Sequence, residues 1–211
     1  DKMPNGITIG SVPEHMSISD VANPFLILDR FTDADNTALT AHNPNNSKTG
    51  NDWVVWNGTF TTVGNQAELG TAGGGQEVNA VDMGQADYEI ICDFYLSTEI
   101  VNADGGIIFR GVDSDNYWML VTVTGQAWTV YKNALGFTAD TQTVSVSTAG
   151  DTYEIRITCV GNTVTCYLDG AQILAPTLSG TDSGTFIGVR IHSANDSTGG
   201  SYFDNLRVSP L

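Results

Sequence analysis

Short alternations of apolar and polar residues, broken at intervals by Gly, Asn or Asp, run through the second half of the chain. The segments are GIIFRGVDSDNYWMLVTVTG from Gly106, AWTVYK from Ala127, DTYEIRITCVGNTVTCYLDG from Asp151, GTFIGVRIHSA from Gly184 and YFDNLRV, ending at Val208. Val, Ile, Thr, Tyr and Trp dominate them. A period of two with turn residues between segments predicts many short strands, the pattern of an all-β sandwich. No stretch keeps a helical period, and no repeat of solenoid or propeller length occurs.

Strands are predicted at 77–82, 87–97, 106–111, 117–124, 127–132, 141–147, 152–160, 163–168, 185–193 and 202–208. Upstream, Phe25–Phe31 (FLILDRF) reads as the first strand, followed by a polar loop from Thr32 to Asp52. A tight meander is expected next. Trp53–Trp56 turns at Asn57-Gly58, Thr59–Val63 turns at Gly64-Asn65, and Gln66–Leu69 leads out. Asn-Gly is a strong hairpin signal. Gly73–Gly75 reads as a joint rather than a phosphate cradle. Residues 1–24 hold Pro4, Pro13 and Pro24 between short apolar stretches, and read as an extended N-terminal arm or linker ahead of a single domain at 25–211. The arm could also pack as an edge strand or dock on a neighbouring subunit, giving a homo-oligomer.

The chain has 211 residues and 41% hydrophobic content, enough for one large β domain. Net charge is −16, from 24 acidic against 8 basic residues. Such a chain repels nucleic acid and anionic membrane surfaces. No apolar run reaches the ~18–20 residues of a spanning helix. The chain opens at Asp1 rather than Met, so a leader or preceding domain is a reading left open.

Three cysteines, Cys92, Cys159 and Cys166, rule out complete internal pairing. Across a two-residue Gly161-Asn162 turn, Cys159 faces Val164 and stands diagonal to Cys166, at ~7–8 Å, long for a disulfide. A register shift would put the two opposite each other. Each shares parity with apolar neighbours, which favours core thiols over metal or nucleophile chemistry.

The segments IIFRGVDSDNYWMLV, YEIRITCVGNTVTCYLDG and FDNLRV, spread over residues 107–208, resemble the concanavalin A-like lectin/glucanase superfamily in its laminin-G-like form. DRFTDADNTALTAHNPNNSKTGNDWVVWNGTFTTVGNQAEL, from Asp29, looks like the opening of such domains in bacteriophage and bacterial surface proteins. The resemblance implies an all-β, antiparallel two-sheet jelly-roll sandwich. It leaves sugar binding, adhesion, glycoside hydrolysis and a structural virion part all open. In similar sandwiches an Asp near the last strand helps hold a structural calcium with the first strand, and Asp204 and Asp29 stand at those places. Asp113 and Asp115, in DSDN, form a second oxygen cluster, which a simple turn explains equally well.

The glucanase branch carries a Glu-x-Asp-x-x-Glu strand motif, which this chain lacks. Glu89 and Asp93 have the wrong spacing and read as solvent-facing residues. His15, His42 and His192 lie in unrelated contexts, and no GxSxG, HExxH, CxxC pair or P-loop occurs. The chain therefore reads as a non-enzyme.

Sugar binding needs a flat apolar platform and fixed hydrogen-bond donors. By parity, Tyr117, Met119, Val121 and Val123 form the apolar face of their strand, and Trp118 points the other way. Arg110 alternates with core-like Phe109, Tyr131 with Trp128 and Val130, and Arg190 and His192 with Val189 and Ile191. Arg110, Trp118, Tyr131, Arg190 and His192 are thus predicted to line one polar sheet face that binds glycans. The bland alternative is a Trp118 covered by a loop and arginines that are ordinary surface groups. The expected setting is a carbohydrate-binding or adhesion module at an extracellular, cell or virion surface. The alternative is a decoration protein partnered with neighbouring structural subunits.

Overall fold

A computed structural model describes residues 25–47, 52–71, 74–98, 104–133, 137–139, 144–178, 183–192 and 200–211. The expected arm at 1–24 lies outside the described residues.

The described strands form two antiparallel sheets, as the alternating pattern requires. The ten-stranded sheet runs β16 (Ala171–Leu174), β15 (Thr163–Leu168), β14 (Thr152–Val160), β8 (Tyr88–Tyr95), β18 (Tyr202–Pro210), β6 (Gln66–Thr71), β5 (Thr59–Val63) and β2 (Thr37–Ala38). Off this path, β1 (Ile27–Asp29) pairs with β18 and with β3 (Asn46–Ser47). The eight-stranded sheet runs β12 (Phe137–Ala139), β11 (Ala127–Asn133), β10 (Asn116–Val123), β9 (Asp104–Asp113), β17 (Phe186–His192), β7 (Gln76–Asp82) and β4 (Val54–Asn57). There β13 (Val144–Val146) pairs with β11. The result is the expected all-β jelly-roll sandwich. Among the described residues, the long polar loop carries only β2, β3 and a 3-10 turn at Leu39–Ala41.

The core between the sheets draws alternate residues from both. Phe94 stacks on Phe203 at 4.9 Å and meets Trp128 edge-on at 6.1 Å. Such contacts add to the area these rings bury. Cys92, Cys159 and Cys166 are free and buried here. The hairpin register places Cys159 opposite Val164 and Cys166 opposite Ile157. Burial pushes the Cys159 thiol up to about 12 and the other two upward as well, so the thiols are protonated and inert.

One predicted turn is a different object. β4 pairs with β7, whereas β5 pairs with β6. Asn57-Gly58 is therefore a crossing from one sheet to the other, not a hairpin. Gly58 has φ +60, and a Cβ there would stand 2.1 Å from Glu77 Oε2. Asn-Gly signals the backbone geometry of a sharp turn, but not which sheet receives the next strand. At Gly64-Asn65 the hairpin forms as expected, with Val63 opposite Gln66 and positive φ at both turn residues.

The first strand is anchored by a buried polar cluster. His42 Nε2 lies 2.7 Å from Asp29 Oδ1, and His42 Nδ1 lies 2.9 Å from Asp33 Oδ2. Trp53 Nε1 donates to Asp29 Oδ2 at 3.0 Å, and the Phe31 amide donates to Asp29 Oδ1 at 2.9 Å. Burial alone would lower the His42 pKa, but the hydrogen bonds and charge of Asp29 and then Asp33 outweigh it and raise it. A raised folded pKa means the stabilisation is complete below the unfolded value of about 6.5 and is lost as pH rises through the folded one. Denaturant midpoints measured across that window should therefore fall with rising pH. His42→Gln should start less stable and lose that limb; an unchanged limb in the variant would contradict the assignment.

Candidate functional site

The eight-stranded sheet is apolar on both faces. Its inner face sends Val81, Ile107, Phe109, Trp118, Leu120, Trp128, Val130, Ile187, Val189 and Ile191 into the main core. Its outer face carries a second cluster of Val78, Ala80, Ile108, Tyr117, Met119 and Val121, with Trp56, Tyr131 and Phe186 packed on it. Trp56 is brought there by a bulge in β4 between Val55 and Asn57. Its ring lies 5.6 Å from Tyr117 and 5.4 Å from Phe186.

Beyond these aromatic rings the outer face opens into a cleft of about 340 Å³, towards the small end of ligand sites. Met119, Val121, Val123 and Tyr131 form an apolar side, and Gln76, Asp104, Arg190 and His192 a polar one. Strand register assembles the polar side. Arg190 sits opposite Gly106, and Ile191 opposite Gly105, so Asp104 is the diagonal neighbour of Arg190 on the same face. With no side chain on Gly106, the guanidinium reaches Asp104 directly. Arg190 Nη1 donates to Asp104 Oδ1, and Nη2 donates to Oδ2 at 3.3 Å, a forked pair. Both residues are buried, Arg190 to 3% exposure. Among the described residues, Arg190 Nε and His192 Nδ1 are buried and have no hydrogen-bond partner. Tyr117 Oη donates to Gln76 Oε1 at 3.3 Å. Burial pushes the Tyr117 phenol up, partly offset by the nearby Arg190 charge.

Tyr131, Arg190 and His192 thus share one face, as parity predicted. Trp118 does not join them. It is 1% exposed and belongs to the main core, while Tyr117, Met119 and Val121 face outward. Parity assigned the two sets to opposite sides correctly but reversed which side is the interior. Arg110 also leaves the predicted face. With φ +53 it sits where β9 bulges against β10 and β17, and its side chain bridges to the other sheet. Its Nη2 donates to Asp87 Oδ1 at 3.0 Å and to Gly161 O at 2.6 Å, and its amide donates to Tyr88 Oη at 2.8 Å. Arg110 is a staple between sheets. Gln76 and Asp104 escaped sequence reasoning. An acid 86 positions from its cation carries no local signal of pairing.

The four aspartates considered for calcium fall in two places, Asp29 and Asp204 on the paired strands β1 and β18, and Asp113 and Asp115 in the β9–β10 turn. Asp29 commits both oxygens to His42, Trp53 and the Phe31 amide. Asp204 Oδ1 accepts the Asn205 amide at 2.6 Å. Asp113 Oδ1 accepts the Asp115 amide at 2.9 Å and the Asn116 side chain at 2.8 Å, closing the β9–β10 turn. These hydrogen bonds hold Asp113 below the usual carboxylate range. Among the described residues, no group of three or more His, Cys, Asp or Glu is arranged to hold a metal ion.

No protein-family model and no curated protein matches the chain. Solved structures do share its fold. A carbohydrate-binding module of Bacillus subtilis superposes with TM-score 0.62 at 17% identity, over 74% of this chain and 94% of that one. A protein from work on endo-acting O-glycanases of human gut bacteria superposes with TM-score 0.58 at 11% identity, over 89% and 99%. Trypanosoma rangeli sialidase superposes with TM-score 0.58 at 12% identity, over 88% of this chain but 30% of the enzyme. What these structures share with the chain is the fold, an all-β jelly-roll sandwich. Among the described residues no helix is long and apolar enough to cross a membrane.

The placement of Trp118 has a direct consequence. Trp118→Ala should cost about 3–5 kcal/mol of unfolding free energy, as for a truncated core aromatic. Tyr131→Ala, on the half-buried rim, should cost much less. Urea unfolding of both variants measures this, and equal costs would contradict the inward orientation.

Proposed function

We propose that this chain is a non-catalytic carbohydrate-binding module acting at an extracellular, bacterial-cell or virion surface, with its site in the cleft on the outer face of the eight-stranded sheet. The observation that carries the reading is the meeting of an apolar wall with buried, incompletely paired polar groups. The C–H face of a sugar ring lies against Met119, Val121 and Tyr131. Its hydroxyls meet Asp104 as acceptor, the Arg190 guanidinium as donor, and Gln76 and His192 at the rim. The shared fold of the Bacillus subtilis carbohydrate-binding module supports the same reading. Binding without turnover is favoured because, among the described residues, the cleft is lined by a single carboxylate, Asp104, already paired with Arg190, whereas most glycosidases use two.

A second reading, a decoration protein of a capsid, tail or filament related to laminin-G-like phage domains, draws on one feature. Among the described residues strand β4 is a sheet edge, and its Val54 and Val55 are 40% and 42% exposed. Exposed apolar edges invite pairing with another chain.

A glycan panel tests the first reading. Saturable binding is expected, weakened about tenfold or more, equivalent to 1.4 kcal/mol, by Tyr131→Ala and by His192→Ala. Absence of binding in a folded protein that sediments as an assembly would favour the decoration reading. Running the panel with calcium and with chelator registers any structural ion at Asp204 or at the Asp113–Asp115 turn as a shift in melting temperature.

A further inference from the structure

The cleft is electrostatically unusual for this chain. The protein carries a net charge of −16, yet a cation, Arg190, is buried in the cleft wall at 3% exposure. Its charge is already spent. Both terminal nitrogens of the guanidinium fork face the two oxygens of Asp104, whose side chain is itself only 10% exposed. Among the described residues, the remaining polar groups lining the cleft are Gln76, which is uncharged, and His192, the one other titratable group there besides Tyr131.

We infer that the cleft, granted the carbohydrate reading above, selects neutral glycans over acidic ones, and that Asp104 is the residue that sets this selectivity. A uronate, sialate or sulfate ester needs an available guanidinium, which binds such groups through the same fork that Asp104 occupies. To bind there, the anion must either displace Asp104 or sit beside it. Displacement leaves a buried carboxylate without its partner, the costly outcome for a broken buried pair. Sitting beside it places like charges together in a poorly solvated site, where their repulsion is strong.

A neutral sugar meets no such conflict. A carboxylate holding a guanidinium still has lone pairs free to accept from adjacent hydroxyls. Arg190, which lines the cleft, keeps one further N–H on each terminal nitrogen as a donor to a ring or hydroxyl oxygen. His192, which also lines the cleft, supplies a ring nitrogen as donor or acceptor, according to its tautomer. The paired charges thus act as fixed donors and acceptors that present no net charge to the ligand. The overall negative field also disfavours anions, but that long-range part is screened by salt, whereas contact with Asp104 is screened much less.

The difference in screening provides the test. Matched neutral and acidic polymers serve as probes: arabinogalactan against polygalacturonate, and desialylated against sialylated mucin. Affinity electrophoresis or calorimetry is run at low and at high salt, at mildly alkaline pH, where an ordinary imidazole is uncharged. The wild-type chain is expected to prefer the neutral member by about tenfold or more and to keep most of that preference at high salt. Asp104→Asn, which keeps the shape and frees the Arg190 charge, should narrow or reverse the ratio, whereas Asp104→Glu should keep it.

An acidic member bound as tightly as its neutral match at high salt overturns the selectivity while leaving the glycan site intact. So does a folded Asp104→Asn with an unchanged ratio. If Asp104→Asn does not fold, the wild-type ratio at high salt decides by itself. No binding to any of these probes or to the glycan panel, by a protein that remains folded, overturns the glycan site and the selectivity together.

Discussion

The eight-stranded sheet has to bury apolar surface on both of its faces, and much of the rest of the molecule is arranged around that requirement. Its inner face is satisfied by the ten-stranded sheet, through contacts such as Phe94 against Trp128. Its outer face has no third layer among the described residues. Cover comes instead from the sheet's own margins: Trp56 from a bulged edge strand, Phe186 from the start of β17, and Tyr131 from β11. Where this cover stops, the cleft begins. The Arg190–Asp104 pair sits in that gap, half inside the apolar cluster. A charge pair in such a place is held by mutual dependence, because each partner alone would be a stranded charge.

Irregular backbone does the positioning. The bulge at Arg110 turns a residue of the eight-stranded sheet towards Asp87 and the Gly161 carbonyl of the other sheet, so one guanidinium ties the two layers at their end. Asp87 Oδ1 also accepts the Gly161 amide at 3.0 Å, so the same carboxylate holds the β14–β15 turn. At the other margin, Gly58 lets the chain change sheets against the buried Glu77, whose Oε1 accepts the amides of Gly74 and Gly75 at 2.8 and 3.1 Å. These features re-aim individual side chains without interrupting the sandwich.

The chemistry of the cleft follows from the same economy of charge. A strongly acidic surface favours solubility and repels anions at long range. Within the cleft the only lining cation among the described residues is neutralised by its neighbour. What remains is directional hydrogen bonding beside an aliphatic and aromatic wall, the combination that a polyol with one C–H face can use. One fold carries many functions, so the site rather than the fold makes the case.

Period-two alternation and turn residues were enough to determine the all-β class and most strands from β5 onward. They also pointed to a two-residue Gly161-Asn162 turn, and the structure adopts that register rather than the shifted one that would set Cys159 opposite Cys166. These are local properties: side-chain parity and turn geometry are settled within a few residues. Tertiary structure alone decided which of two apolar faces became the interior, because Tyr117, Met119 and Val121 look as core-like in sequence as Trp118 and Leu120. It also decided that Asn57-Gly58 changes sheets, that Arg110 turns inward, and that Asp104 meets Arg190 across β9 and β17. Each of those outcomes depends on what stands on the neighbouring strand, and the chain reaches that neighbour only after folding.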